Sequence, residues 1–176
     1  MRRLPTSWRT FFLSATLLLL AACPHEAAPP NEILLGGASD EVLGAFRDAI
    51  AAGLVTTDDA RAAHLTAPTE GATLARATPA TFTWIRVTPG PRPRHGLKNG
   101  VFVWLHLAGP GLDPAVDVLA PTVDSSWTPP AADWATLGAA SGTVTITITT
   151  GTFDDGILGT EGAFTPTTPS SFSFVD

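Results

Sequence analysis

The chain holds a single thiol, Cys23, placed directly behind the apolar run Phe11–Ala22 (FFLSATLLLLAA). With no second cysteine there is no internal disulfide, so Cys23 is either a free nucleophile or a point of covalent attachment. A second concentration of chemistry lies in Arg86–Lys98 (RVTPGPRPRHGLK), where Arg86, Arg92, Arg94 and Lys98 gather beside His95. Guanidinium groups on a proline-stiffened loop suit phosphate and carboxylate partners. Arg92, Arg94, His95 and Lys98 are therefore candidate contacts for an anionic polymer, set against the plainer reading of a solvated loop that ion-pairs with nearby acids. Trp84, Trp104, Trp127 and Trp134 have faces on which sugars stack. Trp84 and Trp104, however, fall in apolar strand patterns, and the other two flank a proline-rich turn where they plug an edge.

The remaining sets are poorer. Asp154-Asp155-Gly156 with Glu161 offers hard oxygens for calcium, but the alternating spacing of a calcium loop is absent and Asp-Asp-Gly is a turn sequence. His64, His95 and His106 lie on three different elements without ligand spacing, so no metal is assigned. His25-Glu26-Ala27-Ala28 would open a zinc-protease helix motif, yet Pro29 stands where its second histidine belongs. There is no G-x-S-x-G turn and no paired-carboxylate signature. No catalytic residue and no cofactor are assigned. A small hydrolase or metal-dependent enzyme stands only as an alternative, requiring a histidine and acids to converge in one cleft.

The elements that position these residues follow from pattern. Arg2, Arg3 and Arg9 precede an apolar stretch that is uninterrupted only from about Ala15 to Ala22, short of the roughly 20 residues of a transmembrane helix. Removing residues 1–22 leaves 154 of 176 residues and takes the formal charge from −6 to −9, since three arginines and no acid are lost. Such an acidic chain excludes nucleic acid as a partner. Residues 24–38, with Pro24, Pro29, Pro30, Gly36 and Gly37, read as a tether. Ser39 caps a helix with Asp40 and Glu41 in its first turn, Val42, Leu43, Phe46, Ala49 and Ile50 on one face, and Gly53 at its end. Thr56–Asp59 has the outline of a capping box opening a second short helix through about His64, which Pro68 ends.

From Leu65 the period changes to two. Thr81–Ile85, Val101–Leu107, Ala115–Leu119, Ser125–Thr128, Thr143–Thr149 and Ser171–Val175 read as strands. Val101–Leu107 is apolar on both faces, hence central. Thr143–Thr149 turns Val144, Ile146 and Ile148 inward and its threonines outward. Six or seven short strands separated by Pro/Gly turns predict a mainly β, antiparallel sandwich with a short N-terminal helical segment.

Two resemblances add to this. Leu20-Ala21-Ala22-Cys23, behind a cationic start and an apolar core, resembles the lipobox of bacterial lipoproteins. That resemblance implies cleavage of residues 1–22 as signal peptide, acylation of Cys23 as the new first residue, and permanent anchoring through it. Pro24 stands where enterobacterial members retained in the inner membrane carry Asp, which favours the outer membrane. The run Thr66-Ala67-Pro68-x-x-Gly71-Ala72-Thr73, then Pro79-x-Thr81-Phe82-x-Trp84, resembles the opening of bacterial immunoglobulin-like or fibronectin type III-like domains. Ser126-Trp127-Thr128-Pro129, Trp134-Ala135-x-Leu137 and Gly142-x-Val144 are similar to a later part of that family. The family's corner tyrosine is missing, because the chain has no tyrosine, and Trp134 is the residue placed to substitute for it.

The organisation expected is therefore a signal peptide at 1–22, a lipidated tether at 23–38, a helical cap at 39–64 and an immunoglobulin-like sandwich at 65–176. The function expected is that of a non-enzymatic, lipid-anchored cell-envelope protein with a structural, adhesive or protein-interaction role. A carbohydrate- or envelope-polymer-binding module is the alternative, with the membrane, envelope proteins and anionic polysaccharide as partners.

Overall fold

The computed structural model describes residues 31–86, 98–122 and 125–176, the side chain of Arg86 excepted. The fold is mainly β, with two sheets and two helices among the described residues. In chain order the elements are β1 (Glu32–Leu34), α1 (Asp40–Ala51), β2 (Val55–Thr57), β3 (Ala63–Ala67), β4 (Ala72–Ala75) and β5 (Phe82–Arg86). There follow β6 (Gly100–Gly109), β7 (Leu112–Pro121), β8 (Ser126–Trp127), α2 (Ala131–Leu137), β9 (Val144–Asp154), β10 (Ile157–Thr165) and β11 (Ser170–Val175). Most neighbours pair antiparallel, but β1 with β7, β2 with β10 and β4 with β11 run parallel, a mixture the strictly antiparallel expectation did not contain.

The larger sheet runs β1-β7-β6-β9 and then forks. The first half of β9 pairs with β11, and β11 with β4; the second half pairs with β10, and β10 with β2. At the fork Thr165 donates its hydroxyl to the Ile148 carbonyl at 2.8 Å, supplying a partner to a backbone group where the ladder divides. The smaller sheet, β3-β5-β8, is tied to β9 by Ala63 N–H donating to Thr150 Oγ1 at 2.8 Å.

Strand β6 is covered on both faces, as its sequence requires. Val103, Leu105 and Leu107 meet Phe82, Trp84, Trp127 and Ile146 in the core between the sheets, which α2 closes with Trp134 and Leu137. Phe102 and Trp104 look the other way and meet Phe46, Leu43 and Val42 of α1. Phe46 stands at the centre of this second core, 4.8 Å ring to ring from Phe153 and 6.0 Å from Trp104. Its seat exists because residue 151 is glycine: a Cβ there would lie 3.0 Å from the Phe46 ring and 2.8 Å from Leu158.

Helix α1 begins and ends as its sequence dictates. Ser39 Oγ accepts from Glu41 N–H, and Gly53 takes the left-handed φ of 69° that stops the helix. Ile50, expected on its buried face, is half exposed. The second helix over 56–64 does not form. The β-branched Val55-Thr56-Thr57 pairs with β10 as β2, and Asp58 accepts from the N–H groups of Ala60 and Arg61 in a turn. The helical cap expected at 39–64 is thus α1 alone, followed by a strand, a turn and the start of β3. Residues 32–37, expected within the tether, are part of the fold instead: Glu32–Leu34 joins the sheet and Leu35–Gly37 form a 3-10 turn. Thr149, expected outward, is buried beneath α1 because the helix covers that half of the face. Asp155 and Gly156, both at positive φ, make the two-residue turn that joins β9 to β10, as the Asp-Asp-Gly sequence suggests.

Truncating Phe46 to Ala should lower the unfolding free energy by about 3–5 kcal/mol, the range for a fully buried phenylalanine. Equilibrium urea unfolding followed by tryptophan fluorescence is the measurement.

Candidate functional site

Residues separated by most of the chain are brought into one row by the register of the larger sheet. Glu32 on β1 lies beside Asp117 on β7, Asp117 beside His106 on β6, and His106 beside Thr147 on β9. Period two places Asp117 on the opposite face from Val116 and Val118, which belong to the core between the sheets. The carboxylate is pinned under α1 at 6 % exposure.

A buried carboxylate is tolerated only if its oxygens are satisfied. Asp117 Oδ1 accepts from Trp104 Nε1 at 2.9 Å and from His106 Nδ1 at 2.7 Å. Asp117 Oδ2 accepts from Arg47 Nη2, and Arg47 Nη1 lies 2.6 Å from Glu32 Oε1. Burial alone drives the Asp117 pKa up, but the hydrogen bonds from His106, Arg47 and Trp104 outweigh it and hold the carboxyl below its ordinary value. For Arg47, burial works against the cation, and the bonds to Asp117 and Glu32 more than restore it.

Chemically, the arrangement does two things. It fastens β1 and α1 to the sheet through one guanidinium that bridges two carboxylates. It also fixes the tautomer of His106: a carboxylate can only accept, so Nδ1 carries the proton and Nε2 is left as the free nitrogen of a half-exposed ring. Among the described residues no bond to Nε2 completes a nucleophile–base pair, and no group of three His, Cys, Asp or Glu side chains is spaced to hold a metal.

Cys23, Arg92, Arg94, His95 and His25 lie outside the described residues. Lys98 pairs with Glu41 at the start of α1, which raises its ammonium above the ordinary value, and its carbonyl accepts from Gly156 N–H at 3.0 Å. It braces the β9–β10 turn. Asn99 Oδ1 does the same through Asp155 N–H at 2.8 Å. His64, on β3, bonds the Asp59 carbonyl through Nε2 at 2.6 Å, while His106 is on β6 of the other sheet. Trp84, Trp104, Trp127 and Trp134 are packed inside, none above 5 % exposed, so none of these four offers a face for stacking. Trp134 donates to the Arg76 carbonyl at 2.8 Å, while the Arg76 guanidinium returns to the carbonyls of Gly138 and Ala140 at the end of α2. The indole N–H groups of Trp84 and Trp127 are buried without a partner among the described residues.

Reading the sequence for known motifs missed Glu32, Arg47 and Asp117. A signal was present: Asp117 is the one charged residue within the expected strand Ala115–Leu119, and an acid between two inward-facing valines needs a donor.

Comparison of the chain with protein-family models, with curated proteins and with solved structures gives no match.

Asp117→Asn should destabilise the fold by about 2–4 kcal/mol, because Arg47 loses the charge it faces. The sign with pH follows from the lowered pKa of Asp117. Its contribution is fully present above the unfolded value of about 3.9 and is lost as pH falls through the folded one. Urea midpoints of the parent should therefore fall below about pH 4 more steeply than those of Asp117→Asn. Asp58 and Asp59, also held low by hydrogen bonds, titrate alike in both proteins and cancel in the comparison.

Proposed function

We propose that the protein is a lipid-anchored protein of the bacterial cell envelope, held through acylated Cys23 in the outer membrane. Its β-sandwich-like domain, of the immunoglobulin-like or fibronectin type III-like kind, serves a structural, adhesive or protein-interaction role without catalysis. One observation carries this reading: a lone cysteine behind small residues, an apolar core and a cationic start. Two or more acyl chains, at about 0.8 kcal/mol for each buried methylene, would hold such a protein durably on a bilayer.

The folded body gives supporting observations. Trp84 fills the space between the two sheets, as the family's strand tryptophan does. Trp134, tied to the backbone at Arg76, stands in for the absent corner tyrosine. The polar row at Asp117 is occupied in fastening β1, the strand nearest the attachment point, which favours a mechanical role for it over a chemical one. The second reading, binding of an anionic envelope polymer, draws on the four cations among Arg86–Lys98 in an otherwise acidic chain. Lys98 is already paired with Glu41, so that reading rests on Arg92, Arg94 and His95.

Changing Cys23 to Ser should abolish labelling by a palmitate analogue in cells and move the protein from the membrane to the soluble fraction. Retention at the membrane without label would overturn the anchoring. Arg92→Ala with Arg94→Ala should remove co-sedimentation with peptidoglycan or lipopolysaccharide if the loop binds them; unchanged co-sedimentation rejects the polymer reading.

A further inference from the structure

The sheet has two poles, and the chain enters it at one of them. Asn31 is bound to the β7 strand by its carbonyl, which accepts from Asp117 N–H, and by its side chain, which donates to the Pro114 carbonyl. Because β1 runs parallel to β7, the amino end of β1 points toward the β6–β7 turn at Pro110-Gly111. The same pole holds Ser141, whose N–H bonds the Pro110 carbonyl, the end of α2, and Asp176 paired with Arg76. The opposite pole holds the β9–β10 turn, with Ile157 at 72 % exposure, braced by Lys98 and Asn99.

Lengths decide which pole meets the membrane. Eight residue steps separate Cys23 from Asn31, at most about 28 Å when fully extended and about 16 Å as a flexible chain. Asn31 stands level with Ile146, and Asp154, eight residues further along β9, pairs with Ile157. The far turn is thus about 26 Å beyond the entry point. To set that turn on the bilayer the connecting chain would have to run back along the domain at nearly full extension.

Resting on the reading of Cys23 as the acylated anchor, we infer that the pole formed by the β6–β7 turn, Ser141 and Asp176 is the membrane-facing surface. The β9–β10 turn then points away from the lipid. The facing pole carries Asp113, beside the β6–β7 turn, and Asp176 against Arg76, which is taken up by carbonyls and by Asp176. Such a surface is not attracted to anionic headgroups, so the short chain, and not electrostatic adhesion, sets the orientation and salt leaves it unchanged.

The test uses the full, lipidated protein in phosphatidylethanolamine–phosphatidylglycerol vesicles bearing a headgroup acceptor dye. With Cys23 blocked as a thioether, Ser141→Cys and Ile157→Cys each supply the sole thiol for a donor fluorophore. Asp113→Cys and Asp154→Cys form a second near and far pair. Energy transfer should be at least about twofold higher from the near positions in both pairs, as an offset of about 26 Å requires, and should not change with salt. Flotation with equal or reversed transfer overturns the orientation alone. Failure of the unlabelled protein to float with vesicles overturns the anchoring and the orientation together.

Discussion

A carboxylate placed in the interior has to be satisfied, and meeting that demand at Asp117 organises one whole side of the molecule. The donors it needs come from a helix and from the neighbouring strand: Arg47 on α1, Trp104 and His106 on β6. The guanidinium that neutralises it has a second fork left over, and Glu32 takes it. Strand β1, only three residues long, has too little ladder of its own to hold an edge. Its place is secured by what its glutamate adds. Removing the acid would therefore loosen two elements that make no bond to each other's backbone.

The other organising demand is geometric. Strand β6 buries both faces, which requires two separate covers for one strand. The three-stranded sheet with α2 supplies the first and α1 supplies the second. Helix α1 covers only part of its face, so Trp104 and Thr149 are buried while His106, in the next row, is half exposed. The boundary of the helix thus decides which residues of that face stay wet. Branching of the sheet at β9 follows from the same economy of space, since the β11 and β10 branches leave β9 from its two halves.

Much of this was legible in the sequence, for identifiable reasons. Patterns with strong local causes were read correctly: Ser39 and Gly53 bound a helix, Val103, Leu105 and Leu107 face a core, and Asp155-Gly156 turn the chain. The failures lie where distant pairing overrides local preference. Thr56–Asp59 has the residues of a helix start, but Thr56 and Thr57 pair with β10 instead. Glu32–Leu34 looks like spacer because nothing nearby in sequence announces β7. The candidate site is the extreme case, since Arg47 and Asp117 are brought together only by the finished fold. An acid amid valines predicts that a donor exists without saying which one. The cationic loop is a different matter: its residues are conspicuous in sequence, and the one cation whose side chain is described, Lys98, serves as a brace.

The parallel pairing of β1 with β7 also bears on the order in which the chain can be assembled. A polypeptide delivered amino end first presents Glu32 long before Asp117, and β1 has no edge to join until the β6–β7 hairpin exists. Strand β1 is therefore among the last to be locked, although it is among the first to emerge. During that interval β1 stays unpaired, and the domain completes itself by drawing this leading strand into place.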